Sequence, residues 1–205
     1  MTDSFFKTPT LELSKRLLGA ELIHETAHGP IGGTIVEVEA YLGPEDRAAH
    51  SYGGRRTKRT EVMFGPPGRA YLYKIYGMHV CLNVVSGPIG KPEAVLIRAL
   101  EPTYGIEKMI DNRGIHVSRD SHGQWRLNQL KGLTNGPGKL VKALALTMDF
   151  YNHDLAKPPL TITPPEKAIA EHHIGVGPRI GIDNTGEARA YPYRFWIKGH
   201  PFVSR

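Results

Sequence analysis

Two carboxylates and a phenol stand at alternate positions in Glu37-Val38-Glu39-Ala40-Tyr41. Successive side chains of a strand point to opposite faces, so Ile35, Glu37, Glu39 and Tyr41 fall on one face and Thr34, Val36, Val38 and Ala40 on the other. Charge on the inward face of a sheet is costly unless it is paired or used. Two readings are open. Either the face is solvated and the acids merely flank it, or an acid is held inside for general acid–base work. His50, Tyr71, Tyr73 and Tyr76 follow, with Asn83 beyond them. Aromatic rings among cations suit nucleic acid, because rings stack on bases while Lys and Arg meet phosphates. Half-buried packing is the plain alternative for each tyrosine, and Tyr71 reads most readily as core.

The cations are concentrated. Between Tyr52 and Tyr76 lie Arg55, Arg56, Lys58, Arg59, Arg69 and Lys74 against the single acid Glu61, in a chain of 205 residues whose net charge is +6. This is either a solvated loop of a basic protein or a patch facing phosphates, where Lys and Arg release counterions from nucleic acid.

Two short motifs point elsewhere. His24-Glu25-Thr26-Ala27-His28 has the H-E-x-x-H pattern of zinc proteases. That pattern binds metal only on a helix, where imidazoles at i and i+4 share a face. Leu22-Ile23 before it and Gly29-Pro30 after it predict a strand entering a turn instead. Gly136-Pro137-Gly138-Lys139 resembles a phosphate loop but is followed by Leu140 rather than Ser or Thr. It predicts the opening of a helix.

The elements that must carry these residues are short. Thr8 as cap, Pro9 in the first turn and Leu11, Leu13, Leu17 and Leu18 predict a first helix ending before Gly19. Strands are predicted over 21–25, 34–42, 94–100 (bounded by Pro92 and Pro102) and 194–198. Segments 69–76 and 79–86 flank Gly77-Met78 as a β-hairpin. Helices are predicted over 104–111, 138–146 and 166–172. The sum is an α+β fold: one domain over 1–205, with a curved, largely antiparallel β-sheet, surrounding helices and a protruding hairpin.

Composition narrows the class. Hydrophobic residues make up 40% and charged residues 22%, an ordinary globular balance. The single cysteine, Cys81, excludes an intramolecular disulfide and a Cys-rich zinc module. Residues 1–18 lack the apolar core of a signal peptide, and no run approaches 18 apolar residues. The expected compartment is a reducing cytosol.

Several extended segments, in order over nearly the whole chain, resemble the alkyladenine (3-methyladenine) DNA glycosylase family in its compact bacterial form. They are Val36 to Asp46 with Ala48-Ala49-His50-Ser51, Tyr71 to Met78, Asn83, Leu96 to Pro102, Gly136 to Leu140 and Arg194 to Gly199. The resemblance implies a base-excision repair enzyme that flips damaged purines out of double-stranded DNA and hydrolyses the N-glycosidic bond. 3-Methyladenine, 7-methylguanine, hypoxanthine and ethenoadenine types all suit the pocket. Glu39 matches the carboxylate that activates water, and Arg98 its partner, whose charge is expected to keep Glu39 ionised. Tyr41, His50 and Tyr73 match the residues that sandwich the flipped base. Asn83 matches one that crowds the 2-amino group of guanine, and Tyr76 matches the intercalating wedge. Arg55, Arg56, Lys58, Arg59 and Lys139 are candidates for the DNA backbone.

No lysine stands where a Schiff base would form, so the implied enzyme is monofunctional, without lyase activity. It needs no metal or other cofactor, works as a monomer, has no membrane partner, and belongs to the bacterial cytoplasm with the nucleoid. His79 stands where related chains carry tyrosine, and segment 112–126 matches no family motif. A carbonyl near Ile174-Gly175-Val176-Gly177 is expected to help hold the water. Two other classes fit parts of the pattern. One is a nucleic-acid-binding module without catalysis, which has no need of Glu39. The other is a zinc hydrolase built on His24 and His28.

Overall fold

In a computed structural model, which describes residues 2–75, 77 and 79–204, the chain forms an antiparallel sheet with helices packed against it. Its strands are β1 (Glu21–Thr26), β2 (Gly29–Tyr41), β3 (Ala70–Ile75), β4 (His79–Ser86), β5 (Glu93–Tyr104), β6 (Leu160–Thr163), β7 (Ile174–Gly177) and β8 (Arg194–Ile197). The order β3-β4-β5-β2-β1-β6 runs across the sheet. β2 is long enough to take two partners on one edge. Its first half pairs with β1 and its second half with β8, which in turn pairs with β7. That branching curls the sheet at Glu37–Glu39. The α+β class and the curved antiparallel sheet expected from the sequence are therefore what the chain adopts. Among the described residues no helix is long and apolar enough to cross a membrane.

Alternation sorts the two faces. Val36, Val38 and Ala40 of β2, Ile97 and Ala99 of β5, Leu82 and Val84 of β4 and Leu72 of β3 enter the main hydrophobic core. That core is closed by Leu13 and Leu17 of α2 (Thr10–Leu17), Met109 of α3 (Ile106–Arg113) and Leu140, Val141 and Leu144 in and after α5 (Pro137–Ala143). The short helices α1 (Thr2–Phe5) and α4 (Leu127–Leu130) complete the set. The opposite face carries the polar and aromatic residues described below.

The structure corrects several local expectations. Thr8 does not cap α2; its hydroxyl donates to the Phe5 carbonyl, and Pro9 occupies the cap position with no side-chain bond. β5 does not stop before Pro102. It runs to Tyr104, because Pro102 falls at a register shift opposite Gly33, where a missing N–H is tolerated. α3 therefore starts late, after Gly105 in a left-handed conformation (φ 59°). Segment 166–172 is not a helix; only a 3-10 turn forms at Glu171–His173. Its one large apolar residue, Ile169, packs toward Gly19, and it offers no apolar stripe for a helix to bury. The H-E-x-x-H segment is β1 running into a turn, with His24 Nδ1 2.8 Å from the Leu144 carbonyl.

One close approach fixes the β7–β8 arm. A Cβ on Gly175 would lie 2.2 Å from Cε2 of Trp196, so only glycine lets the indole lie flat on β7. Gly175→Ala is expected to destabilise the fold by about 1–3 kcal/mol, the cost of overpacking. A denaturant midpoint equal to that of the parent chain would contradict this.

Candidate active site

The polar face of the sheet lines a cavity of about 520 Å³. Alternate residues of four neighbouring strands reach it: Glu39 and Tyr41 from β2, Leu96 and Arg98 from β5, Cys81 and Asn83 from β4, Tyr71 and Tyr73 from β3. The ladder sets them side by side, through the pairs Glu39–Leu96, Asn83–Leu96 and Tyr71–Asn83.

Arg98 owes its aim to an irregularity. Between the pairs Glu37–Ala99 and Val38–Ile97, β5 has one residue more than β2, and that residue is Arg98. Bulges of this kind re-aim a side chain, and here the guanidinium is turned onto both acids. Its Nη1 lies 3.2 Å from Glu39 Oε1, and its Nε 3.3 Å from Glu37 Oε1. Glu37 and Glu39 are both fully buried, so the solvated-face reading fails. Glu39 Oε1 also accepts the Ile180 amide at 2.8 Å, and its Oε2 accepts the Tyr41 hydroxyl at 2.9 Å.

Burial pushes the Glu39 carboxyl above the ordinary carboxylate range; Arg98, the Ile180 amide and the Tyr41 hydroxyl pull it back, without reversing the direction. Arg98 therefore offsets a desolvation penalty rather than holding Glu39 at a low pKa. A carboxylate raised in this way is a better proton acceptor near neutrality.

An aromatic wall faces this acid. The His50 and Tyr73 rings meet edge to face at 4.5 Å, and Tyr71 and Tyr73 lie 5.4 Å apart. His50 Nδ1 and the Tyr71 hydroxyl are 2.8 Å apart. One edge of His50 is open to solvent at the mouth, yet its partial burial, then the charges of Arg59 and Arg55, push it down to about 4, so it is neutral at physiological pH. Burial pushes the Cys81 thiol up to about 11, which leaves it protonated and no nucleophile.

The structure thus brings Glu39, Arg98, Tyr41, His50, Tyr73 and Asn83 to one cavity. Asn83 is buried, its amide donating to the Tyr71 carbonyl at 3.1 Å. Tyr76 lies outside the described residues. Of the basic candidates, Arg59 lines the cavity mouth, donates to the Lys74 carbonyl at 2.9 Å and sits 5.2 Å over the Tyr73 ring. Arg55 lines an adjoining hollow of about 390 Å³ with Arg47 and Tyr52. Arg56 is ion-paired with Glu61 at 2.6 Å. Lys58 is exposed, as is Lys139, which donates to Asn135 at 2.9 Å. His79 is exposed on β4 beside Gly138, near the start of α5.

Four contributors escaped sequence reasoning. Tyr71, read as core, is buried yet turns its hydroxyl to His50. Ile180 contributes through its backbone, which no side-chain pattern reports, and lies past the Ile174–Gly177 segment expected to serve the water. Glu37 was visible only as a neighbour of Glu39. Arg179 is wholly buried: its Nη1 and Nη2 donate to Asp46 at 2.5 and 2.8 Å, and its guanidinium stacks 4.7 Å from the Tyr41 ring centre. Among the described residues no cluster of three His, Cys, Asp or Glu could hold a metal ion.

Comparison with known proteins agrees with this geometry. The family model described as methylpurine-DNA glycosylase matches residues 4–201. A protein of Bacillus licheniformis named "Putative 3-methyladenine DNA glycosylase" is 53% identical over 201 residues, covering 98% of this chain and 94% of its own. Proteins with the same name from Bacillus cereus and Oceanobacillus iheyensis are 52% and 48% identical over 205 residues, covering 98% and 100% of this chain and 97% and 96% of theirs. With the match spanning every strand of the cavity, the chain belongs to the methylpurine-DNA glycosylase family.

Proposed function

We propose that residues 1–205 act as one DNA glycosylase domain that excises methylated purines of the 3-methyladenine and 7-methylguanine type, and hypoxanthine and ethenoadenine, from double-stranded DNA. The observation that carries this reading is Glu39: a fully buried carboxylate, raised in pKa, at the floor of an aromatic cavity. A pure binding module has no use for such a costly group.

The damaged nucleotide leaves the stack, with Tyr76 filling the gap, and its base enters between Tyr41, His50 and Tyr73. An alkylated purine is cationic, and a cation over an electron-rich ring gains roughly 0.5–2 kcal/mol. Neutral His50 adds no opposing charge. Asn83 at the cavity wall disfavours the 2-amino group of undamaged guanine. Glu39 takes a proton from water as its oxygen bonds to C1′. The C1′–N bond breaks and its electron pair leaves with the base: an alkylpurine cation departs neutral, whereas neutral hypoxanthine or ethenoadenine departs as an anion that takes a proton from water. Glu39 also faces the positive charge that develops on the sugar. Water rather than a lysine amine is the nucleophile in this scheme, so the product is an intact abasic site. Arg55, Lys58, Arg59 and Lys139 meet phosphates, and the enzyme acts as a monomer.

A duplex carrying one hypoxanthine or one stable 3-methyladenine analogue tests this. After incubation, alkali is expected to cleave the strand only at the lesion, and only after alkali treatment. Retention of the duplex without any abasic site would identify a binding module and sink the proposal. Affinity is expected to fall steeply with salt, since each phosphate contact contributes about −0.9 to the log–log slope.

A further inference from the structure

Glu37 is a fully buried acid that the scheme above leaves idle. Its surroundings show a role. Glu37 Oε1 accepts from Arg194 Nη1 at 3.1 Å and from the Ser204 hydroxyl at 2.9 Å, while Oε2 accepts the Ser204 amide at 2.7 Å. Arg98 Nη2 in turn donates to the Ser204 hydroxyl at 3.3 Å. Arg98 Nε faces Glu37 Oε1 at 3.3 Å without the alignment of a hydrogen bond. Two buried carboxylates and two arginines, Arg98 and Arg194, are thus closed by Ser204, and Phe202, two residues before it, is anchored in the core.

We propose that Glu37 and Ser204 are positioning residues for base excision: together they occupy Arg98 at Nε and Nη2, so that it holds Glu39 through Nη1 alone and divides its charge between two acids. This inference rests on Glu39 being the base. Its chemical consequence follows from sharing. An arginine given wholly to Glu39 would hold that carboxylate at low pKa and weaken it as a base. An arginine shared with Glu37 orients Glu39 while leaving it basic. Other groups act on Glu39 from every neighbouring element: Tyr41 on β2, itself beside Arg179, the Ile180 amide from the segment after β7, Tyr73 on β3, Cys81 on β4, and Arg194 on β8 through Glu37. Changing Ser204 leaves these groups in place, and changing Glu37 alters only Arg194 among them, by removing its ion pair.

The test is the pH profile of single-turnover excision for the full chain and for Glu37→Gln and Ser204→Ala. In Glu37→Gln a negative charge beside Glu39 is gone and Arg98 has one acid left. The acid limb is expected to move down by about one pH unit. Ser204→Ala keeps every charge, so its limb stays in place while the plateau rate falls about tenfold from misplacement of Arg98. A Glu37→Gln limb identical to that of the parent overturns the charge-sharing claim. A Ser204→Ala plateau equal to that of the parent overturns the positioning claim. Should Glu37→Gln not fold, the Ser204→Ala plateau decides alone. A parent profile with no acid limb would instead show that Glu39 is not the base, and both readings would fall.

Discussion

Glu39→Gln is expected to lower the single-turnover excision rate by about 10²–10⁴-fold, the contribution of a positioned general base. Glutamine matches the shape of the carboxyl. Its carbonyl oxygen can still accept the Ile180 amide, as Oε1 does at 2.8 Å. What it cannot do is take a proton from water or oppose positive charge on the sugar. Binding of lesion DNA should therefore persist while chemistry fails, which separates loss of the base from loss of the fold. The pH dependence carries the same sign. Glu39 is raised above the ordinary carboxylate value of 4.5 by burial, so the unprotonated, active form is lost on acidification sooner than for an exposed glutamate. His50 is pushed the other way, down to about 4. A variant retaining more than about a tenth of the parent rate would remove Glu39 from the role of base.

The strand that carries Glu39 was legible in the sequence because alternation is a local property. Glu37, Glu39 and Tyr41 sit two residues apart, and a strand must put them on one face. The hairpin strands were legible from the turn at Gly77-Met78 between segments 69–76 and 79–86. Whether that face was wet or buried was not local. It depends on β8 crossing the second half of β2 and on residues 179–204 folding over the acids, contacts between segments more than 130 residues apart. The aim of Arg98 was hidden for another reason. It follows from a one-residue mismatch between β2 and β5, which no single strand reveals. The false helix at 166–172 shows the reverse error. Good helix formers such as Glu166, Lys167 and Ala168 set a weak preference that Ile169, drawn to Gly19, overrides.

Electrostatics organise the site in two layers. The floor holds Glu37, Glu39, Arg98 and Arg194 in mutual contact, so the buried charges cancel. The mouth carries Arg55 and Arg59 with no acid in the cavity wall beside them. In the proposed reaction a DNA backbone is drawn to the mouth, and Glu39, the carboxylate that lines the cavity among the described residues, is the one that activates water. The net charge of the chain is small; its distribution, cations outside and a balanced cluster inside, is what suits an anionic substrate that must deliver a cationic base.

Arg179→Met is expected to cost a large part of the stability of this molecule. The Arg179 side chain is inaccessible to solvent and makes a two-pronged pair with Asp46, which is itself buried. It also donates to the Ala40 carbonyl at 2.8 Å and the Ala188 carbonyl at 3.2 Å, and lies between the Tyr41 and Tyr193 rings. Asp46 in turn accepts the amides of Leu42 and Ala48. One ion pair therefore ties together the end of β2, the loop that carries His50 and the segment that presents the Ile180 amide to Glu39. Methionine fills similar volume but leaves Asp46 as an uncompensated buried charge, an error costing about 3–5 kcal/mol. At about 2–4 °C per kcal/mol for a chain of this size, the melting temperature should drop by roughly 6–20 °C. Lysine should rescue little, because a point charge cannot reproduce the planar two-pronged pair or the stack on tyrosine. Adding Asp46→Asn to Arg179→Met should recover part of the loss, since the stranded charge is then gone, and the cycle of single and double variants isolates the pair. Additive losses would show that the two side chains act independently. In the folded fraction at low temperature, Arg179→Met should still excise more slowly than the parent, because the Ile180 amide and the Tyr41 ring both lose their support.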